Sequence, residues 1–173
     1  MNKRAPIRRH VVSAGLMLSL FVAAPMASAW PARVLDVTDG DTLTVKNRNT
    51  LAITDIRLSG IDAPEVDHGP GRRGQPFGEN ATNAMASLVD NRMIEVHPNG
   101  AKSYERTVAR VSVGGRDVGE ELVRQGMAWQ YPAYDPNNRY GTAQQAARRA
   151  NRGLWSQAKP IAPWRWRAKY WND

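Results

Sequence analysis

Asp39-Gly40-Asp41-Thr42-Leu43-Thr44-Val45-Lys46 reads as a tight turn that opens into a half-buried strand. Leu43 and Val45 alternate with Thr42, Thr44 and Lys46, the period of two that puts one face inward and the other in water. Before the turn, Val34, Leu35 and Val37 form an incoming strand, and after it a third runs from about Leu51 to Leu58. The apolar phase shifts between Ile53 and Ile56, which predicts a bulge there, the kind of distortion that lets a small sheet curl into a barrel.

Further along, Ala81, Ala84, Met85 and Leu88 follow helical spacing within a helix expected over about 77–91. Met93 to His97 and Thr107 to Val113 read as two more strands. Asp117 is placed to cap a helix over Val118 to Gln125 that stops at Gly126. Another helix is expected from about Thr142 to Asn151. Five strands with helices between and after them is an α+β pattern, and a curled five-stranded sheet of this length fits an oligonucleotide-binding (OB) barrel with three helices. The segment from Val66 to Gly78, with Gly69, Gly71, Gly74, Pro70 and Pro76, reads as a mobile loop carrying solvated Arg72 and Arg73.

The third strand leads into Ile56-Arg57-Leu58-Ser59-Gly60-Ile61-Asp62-Ala63-Pro64-Glu65, with Asp62 at its end. If this end lies beside the Asp39-Gly40 turn, Asp41, Asp62 and Glu65 gather around Arg57. Carboxylates and backbone carbonyls are the ligands of hard cations such as calcium. An arginine within such a cluster suits a phosphate. Asp39 is assigned to the turn itself, since Asp-Gly is a hairpin signal. Glu65, stiffened by Pro64, is a candidate to accept a proton from an attacking water. A second arginine is needed to spread the charge of a phosphoryl transition state, and composition leaves Arg106 and Arg110 equal.

The bulk composition agrees with this chemistry. The 173 residues hold 24 Lys+Arg against 16 Asp+Glu, a formal charge of +8 that favours polyanionic partners. There is no cysteine, and only His10, His68 and His97 are present, which disfavours thiolate and histidine zinc centres. Lys3, Arg4, Arg8 and Arg9, the apolar run Val11 to Ala24 and Ala27-Ser28-Ala29 read as an export signal over 1–29. Cleavage after Ala29 removes four basic residues and no acidic one, leaving +4. The expected product is a periplasmic or secreted monomer without stable membrane insertion, one domain over 30–173. From about 156 it ends in a basic, tryptophan-rich tail in which Trp164, Trp166 and Trp171 alternate with Arg165, Arg167 and Lys169. That tail suits either nucleic acid or packing on the barrel, with the arginines reaching to water. Trp155 is assigned to packing.

Taken together in order, Val37 to Thr42, Ile56 to Glu65, Tyr104-Glu105-Arg106, Val118 to Ala128 and Gly153-Leu154-Trp155 resemble the staphylococcal-nuclease-like (thermonuclease) family. The resemblance implies calcium-dependent cleavage of DNA and RNA, with single-stranded or frayed substrate and 3′-phosphate products. It implies Asp41, Asp62 and the Ala63 carbonyl as calcium ligands, Glu65 as general base, and Arg57 and Arg106 as the phosphate-binding pair. Tyr104 and Tyr134 resemble its nucleotide-pocket tyrosines. Glu105 departs from the family, which commonly has glycine there. Its charge would oppose phosphate by on the order of 1 kcal/mol and slow the reaction rather than change it. The competing reading is a non-catalytic nucleic-acid-binding OB module, disfavoured because the carboxylates and arginines are all present.

Overall fold

In the computed structural model, which describes residues 28–171, the Asp39-Gly40 turn joins antiparallel β1 (Trp30–Asp39) and β2 (Thr42–Asn47). β3 (Ile53–Leu58) pairs with the other edge of β2, from Thr42 opposite Arg57 to Lys46 opposite Ile53. A two-residue strand, β4 (Ile61–Asp62), follows directly. After helix α1 (Gly78–Val89), β5 (Met93–Ser103) returns to pair with β1, and β6 (Arg106–Val113) pairs with β5. β6 also lies parallel to β3, and this pairing closes β1-β2-β3-β6-β5 into a five-stranded barrel. β7 (Arg116–Asp117) extends β6, and β8 (Trp129–Gln130) pairs with β4 as a separate ribbon.

The barrel interior is filled by the alternating side chains of its walls: Leu43, Val45, Ile56, Leu58, Ile94, Val96, Ala109 and Val111, none more than 2% exposed. Full burial of each larger one contributes roughly 1.5–3 kcal/mol. α1 packs across β1 through Ala81, Met85 and Val89. α2 (Val118–Gln125) begins where the Asp117 side chain accepts from the Glu120 amide at 3.0 Å and stops at Gly126, whose φ of 72° is left-handed. Glu120 and Glu121 in its first turn and Arg124 in its last complement the helix dipole. α3 (Gly141–Arg149) packs on α2.

Four expectations change. Among the described residues the barrel carries four α-helices, not three: α4 (Pro163–Tyr170) stands where a tail was expected, started by a proline whose fixed φ suits the first helical position. The bulge expected between Ile53 and Ile56 is absent, because Ile53 simply faces outward at 65% exposure; the register slips instead in β1, between Val34 and Asp36 and between Val37 and Asp39. Asp62 does not end the third strand but belongs to β4, held by β8. The glycine-rich loop is clamped rather than free. The Arg73 carbonyl accepts from the indoles of Trp166 at 2.9 Å and Trp171 at 3.1 Å, and its guanidinium lies over the Trp166 and Tyr170 rings. Arg72 lies over Trp171. The export-signal reading falls on residues nearly all outside those described.

Candidate active site

Gly40 brings the first carboxylate into place. A Cβ there would stand 2.6 Å from the Ala81 Cβ and 2.7 Å from the Ala63 Cβ, so only glycine lets the turn press against α1 and the segment after β4. Asp41 is thereby held 2% exposed, its Oδ2 accepting from the Ala63 amide at 2.9 Å and its Oδ1 from the Thr42 hydroxyl at 3.2 Å. Asp62 is wholly buried on β4. Arg57 bridges the two: Nη1 lies 2.8 Å from Asp41 Oδ1, and Nη2 donates to Asp62 Oδ1. Asp39 serves the turn, as expected, accepting from the Asp41 amide at 2.9 Å.

Glu65 is 8% exposed, with its backbone tied to Gln75: the Gln75 amide donates to the Glu65 carbonyl at 2.8 Å. Its carboxylate faces a group that sequence reasoning did not single out. Arg167, from α4, donates to Glu65 Oε1 through Nη1, and to Asp62 Oδ1 at 3.1 Å and Oδ2 at 2.9 Å. The clamp of Trp166 and Trp171 on the Arg73 carbonyl, together with a 2.5 Å bond from Gln75 Nε2 to the Ile161 carbonyl, seats α4 so that Arg167 reaches the cluster. The only signal in the sequence was the alternation of tryptophan and arginine in the tail.

Four carboxyl groups, Asp39, Asp41, Asp62 and Glu65, thus gather with two guanidinium groups, Arg57 and Arg167. Burial pushes Asp39 up to about 7, with the charge of Asp41 adding to it. Burial and then Asp41 also raise Asp62. Burial lifts Glu65 to about 7 against the opposing hydrogen bond and charge of Arg167. Burial works against the charge on Arg57, but Asp41 and Asp62 overcome it and hold the guanidinium protonated. Fully ionised, the cluster carries an excess of two negative charges, which a divalent cation would cancel. Among the described residues no three Asp, Glu or His side chains form a metal-ligating group. A cation here would therefore draw on Asp41 and Asp62 with backbone and water oxygens, a donor set of the hard-ion kind.

The second arginine is also placed. Arg106 Nη1 donates to the Thr42 hydroxyl at 3.3 Å, and that hydroxyl donates to Asp41, so Arg106 stands beside the cluster. Among the described residues it makes no ion pair, which leaves its charge for an anion. Arg110 instead lies 3.7 Å from Asp117, by the start of α2. Tyr104 projects from the β5–β6 turn at 91% exposure. Tyr134 sits edge-on to Tyr131 at 4.8 Å, and Tyr131 stacks flat on Trp164 at 4.7 Å. Arg57, Asp41, Asp62 and Glu65 meet directly, Arg106 adjoins them through Thr42, and the two tyrosines lie outside these contacts. Trp155 packs as expected, 7% exposed and 4.4 Å from Trp129.

A family model described as "Staphylococcal nuclease homologue" matches residues 55–157, a span that includes Arg57, Asp62, Glu65 and Arg106 but neither Asp41 nor Arg167. An "Uncharacterized endonuclease" of Haemophilus influenzae is 32% identical over 160 residues, covering 92% of this chain and 85% of that protein. One of the same name from Escherichia coli O157:H7 is 35% identical over 153 residues, 88% of this chain and 94% of that one. In rice, "Probable staphylococcal-like nuclease CAN1" is 33% identical over 112 residues, 65% of this chain but 32% of its own length. The chain belongs to the staphylococcal nuclease homologue family.

Proposed function

We propose that this nuclease hydrolyses phosphodiester bonds of DNA and RNA with calcium as its cation, on single-stranded or frayed substrate, and leaves 3′-phosphate ends. The observation that carries the reading is the bridge from Arg57 to both Asp41 and Asp62, with Glu65 joined to the same Asp62 through Arg167. Calcium, with Asp41, Asp62 and the Ala63 carbonyl as its ligands, would supply positive charge at the reacting phosphate. Arg57 and Arg106 bind that phosphate and neutralise the charge that grows on its oxygens. Glu65, with a pKa raised to about 7, takes the proton of the attacking water at neutral pH. The water adds to phosphorus in line with the leaving 5′ oxygen. Export to the periplasm or medium, as a monomer, belongs to the same proposal and is supported by the basic, apolar and small-residue order of residues 1–29.

The test is digestion of labelled single- and double-stranded DNA and RNA in calcium, magnesium or chelator, followed by end-group analysis. Cleavage in calcium with 3′-phosphate ends is expected. Binding without cleavage in calcium would favour a non-catalytic OB module. The mass of the protein recovered outside the cytoplasm tests the export signal.

A further inference from the structure

The face of α4 that does not touch the carboxylates borders a groove of about 420 Å³ against β8, lined by Trp129, Ile161, Trp164, Arg165 and Lys169. We infer that this groove is a subsite for the nucleotide next to the scissile phosphate on a single-stranded substrate. This rests on the nuclease reading.

Three observations support it. First, the groove adjoins the reacting centre. Trp129 is the cross-strand partner of Asp62 in the β4–β8 ribbon, and Trp164 precedes Arg167 by three residues on one helix. A helical turn rises about 5.4 Å, so along the helix axis Trp164 stands within about one turn of the guanidinium that holds Asp62.

Second, its aromatic wall is already packed together. Trp164 is stacked on Tyr131 with 2° between the ring planes and meets Trp129 edge-on at 5.8 Å. A base that packs there orders little that is not already ordered. Every base has a π face, so such a wall accepts any sequence.

Third, its rim is cationic. Arg165 and Lys169, four apart on α4, share one helix face, and both are exposed. Neither makes an ion pair with a described carboxylate; Lys169 lies over the Tyr170 ring at 4.9 Å. Indoles edged by unpaired cations fit bases on a phosphate strand better than they fit an apolar peptide.

The test compares kcat/KM on a long oligothymidylate with kcat/KM on a dinucleotide, which is too short to fill the groove. In the R165E/K169E variant the ratio of the two should fall roughly tenfold or more, through KM. W164A should lower it in the same way. Because Trp164 packs on Tyr131, its variant can lose fold, whereas the exposed charge pair gives up only the contact of Lys169 with the Tyr170 ring. R48E/R92E makes the same change of charge in a separate recess and should leave the ratio unchanged. A ratio in R165E/K169E equal to that in R48E/R92E would overturn the inference. So would an unchanged ratio accompanied by lost sedimentation with phosphatidylserine vesicles, which would make the groove a membrane contact. If the wild-type protein cuts nothing in calcium, the nuclease reading fails. Fluorescence anisotropy of labelled oligothymidylate in chelator then still tests the groove, with weaker binding expected for R165E/K169E.

Discussion

Arg167 donates to both carboxylate oxygens of Asp62, at 3.1 and 2.9 Å, although 105 residues separate them in the chain. The same guanidinium holds Glu65. It therefore joins the most buried carboxylate of the cluster to the one assigned to take a proton, and it arrives on a helix outside the matched family segment.

Replacing Arg167 by Ala should move the pH dependence of turnover. Burial raises Glu65, and the bond and charge of Arg167 oppose that rise. Without Arg167 the carboxyl holds its proton to higher pH. The acidic limb of the kcat profile should shift upward by about one unit. Turnover at pH 7 should fall about fivefold and recover at more alkaline pH, and R167K should recover part of the loss. A pH–rate series on the three proteins checks this; an unmoved limb would mean that Arg167 does not hold Glu65 during turnover.

Replacing Glu65 by Gln keeps its size and removes its basicity. Turnover should drop by orders of magnitude, roughly 10²-fold or more, while nucleotide affinity stays close to wild type. Single-turnover cleavage and equilibrium binding of a nucleoside bisphosphate separate the two. Near-normal turnover would take Glu65 out of the mechanism.

Replacing Asp41 by Ala removes a carboxylate that Arg57 and the Ala63 amide both hold. Calcium affinity measured by isothermal titration should fall at least tenfold, since a hard ion loses one of two charged ligands. An unchanged titration would put the cation elsewhere.

Local rules made much of this fold legible. Asp117 and Gly126 bound α2 as the sequence implied, because a cap and a left-handed stop are decided by neighbours three or four residues away. Alternation in β2 placed one barrel wall for the same reason. Ile53 misled because an apolar side chain on the outer face breaks the apparent phase without bending the strand. α4 was hidden because eight residues of alternating indole and cation have no apolar helical period, and its docking rests on partners far away in sequence, among them the Arg73 carbonyl and Gln75. Arg167 was hidden with it. The Arg57, Asp41 and Asp62 contacts were readable because the turn and the strand that carry them are close in sequence.

Stability without a cation should depend on pH in an unusual direction. The folded pKa values of Asp39 and Glu65 are raised to about 7, whereas in an unfolded chain such groups titrate near 4. The folded state therefore keeps protons that the unfolded state has released. This contribution is complete below about pH 4 and is lost as pH rises towards 7. In chelator, the melting temperature should be higher at pH 5 than at pH 7.5. Calcium should close the gap at pH 7.5, because it binds the ionised cluster. Calorimetry at the two pH values, with and without calcium, decides it: equal melting temperatures in chelator would mean that the fold does not hold protons on these buried carboxyl groups.

Gly40 should be the most sensitive small residue of the site. A methyl group there meets the Cβ atoms of Ala81 and Ala63 at 2.6 and 2.7 Å, and neither is the end of a flexible side chain. The turn must then move away from α1, at a cost of about 1–3 kcal/mol. The same movement carries Asp41 away from the Ala63 amide and from Arg57, so G40A should weaken calcium binding as well as lower the melting temperature. Coupling is the point of the test. Shortening the opposing side chain with A81G relieves one of the two contacts, and G40A/A81G should regain part of the calcium affinity even though glycine in the helix lowers stability further. Affinity that follows the melting temperature down in the double variant would show that Gly40 serves the fold alone and does not set the position of Asp41.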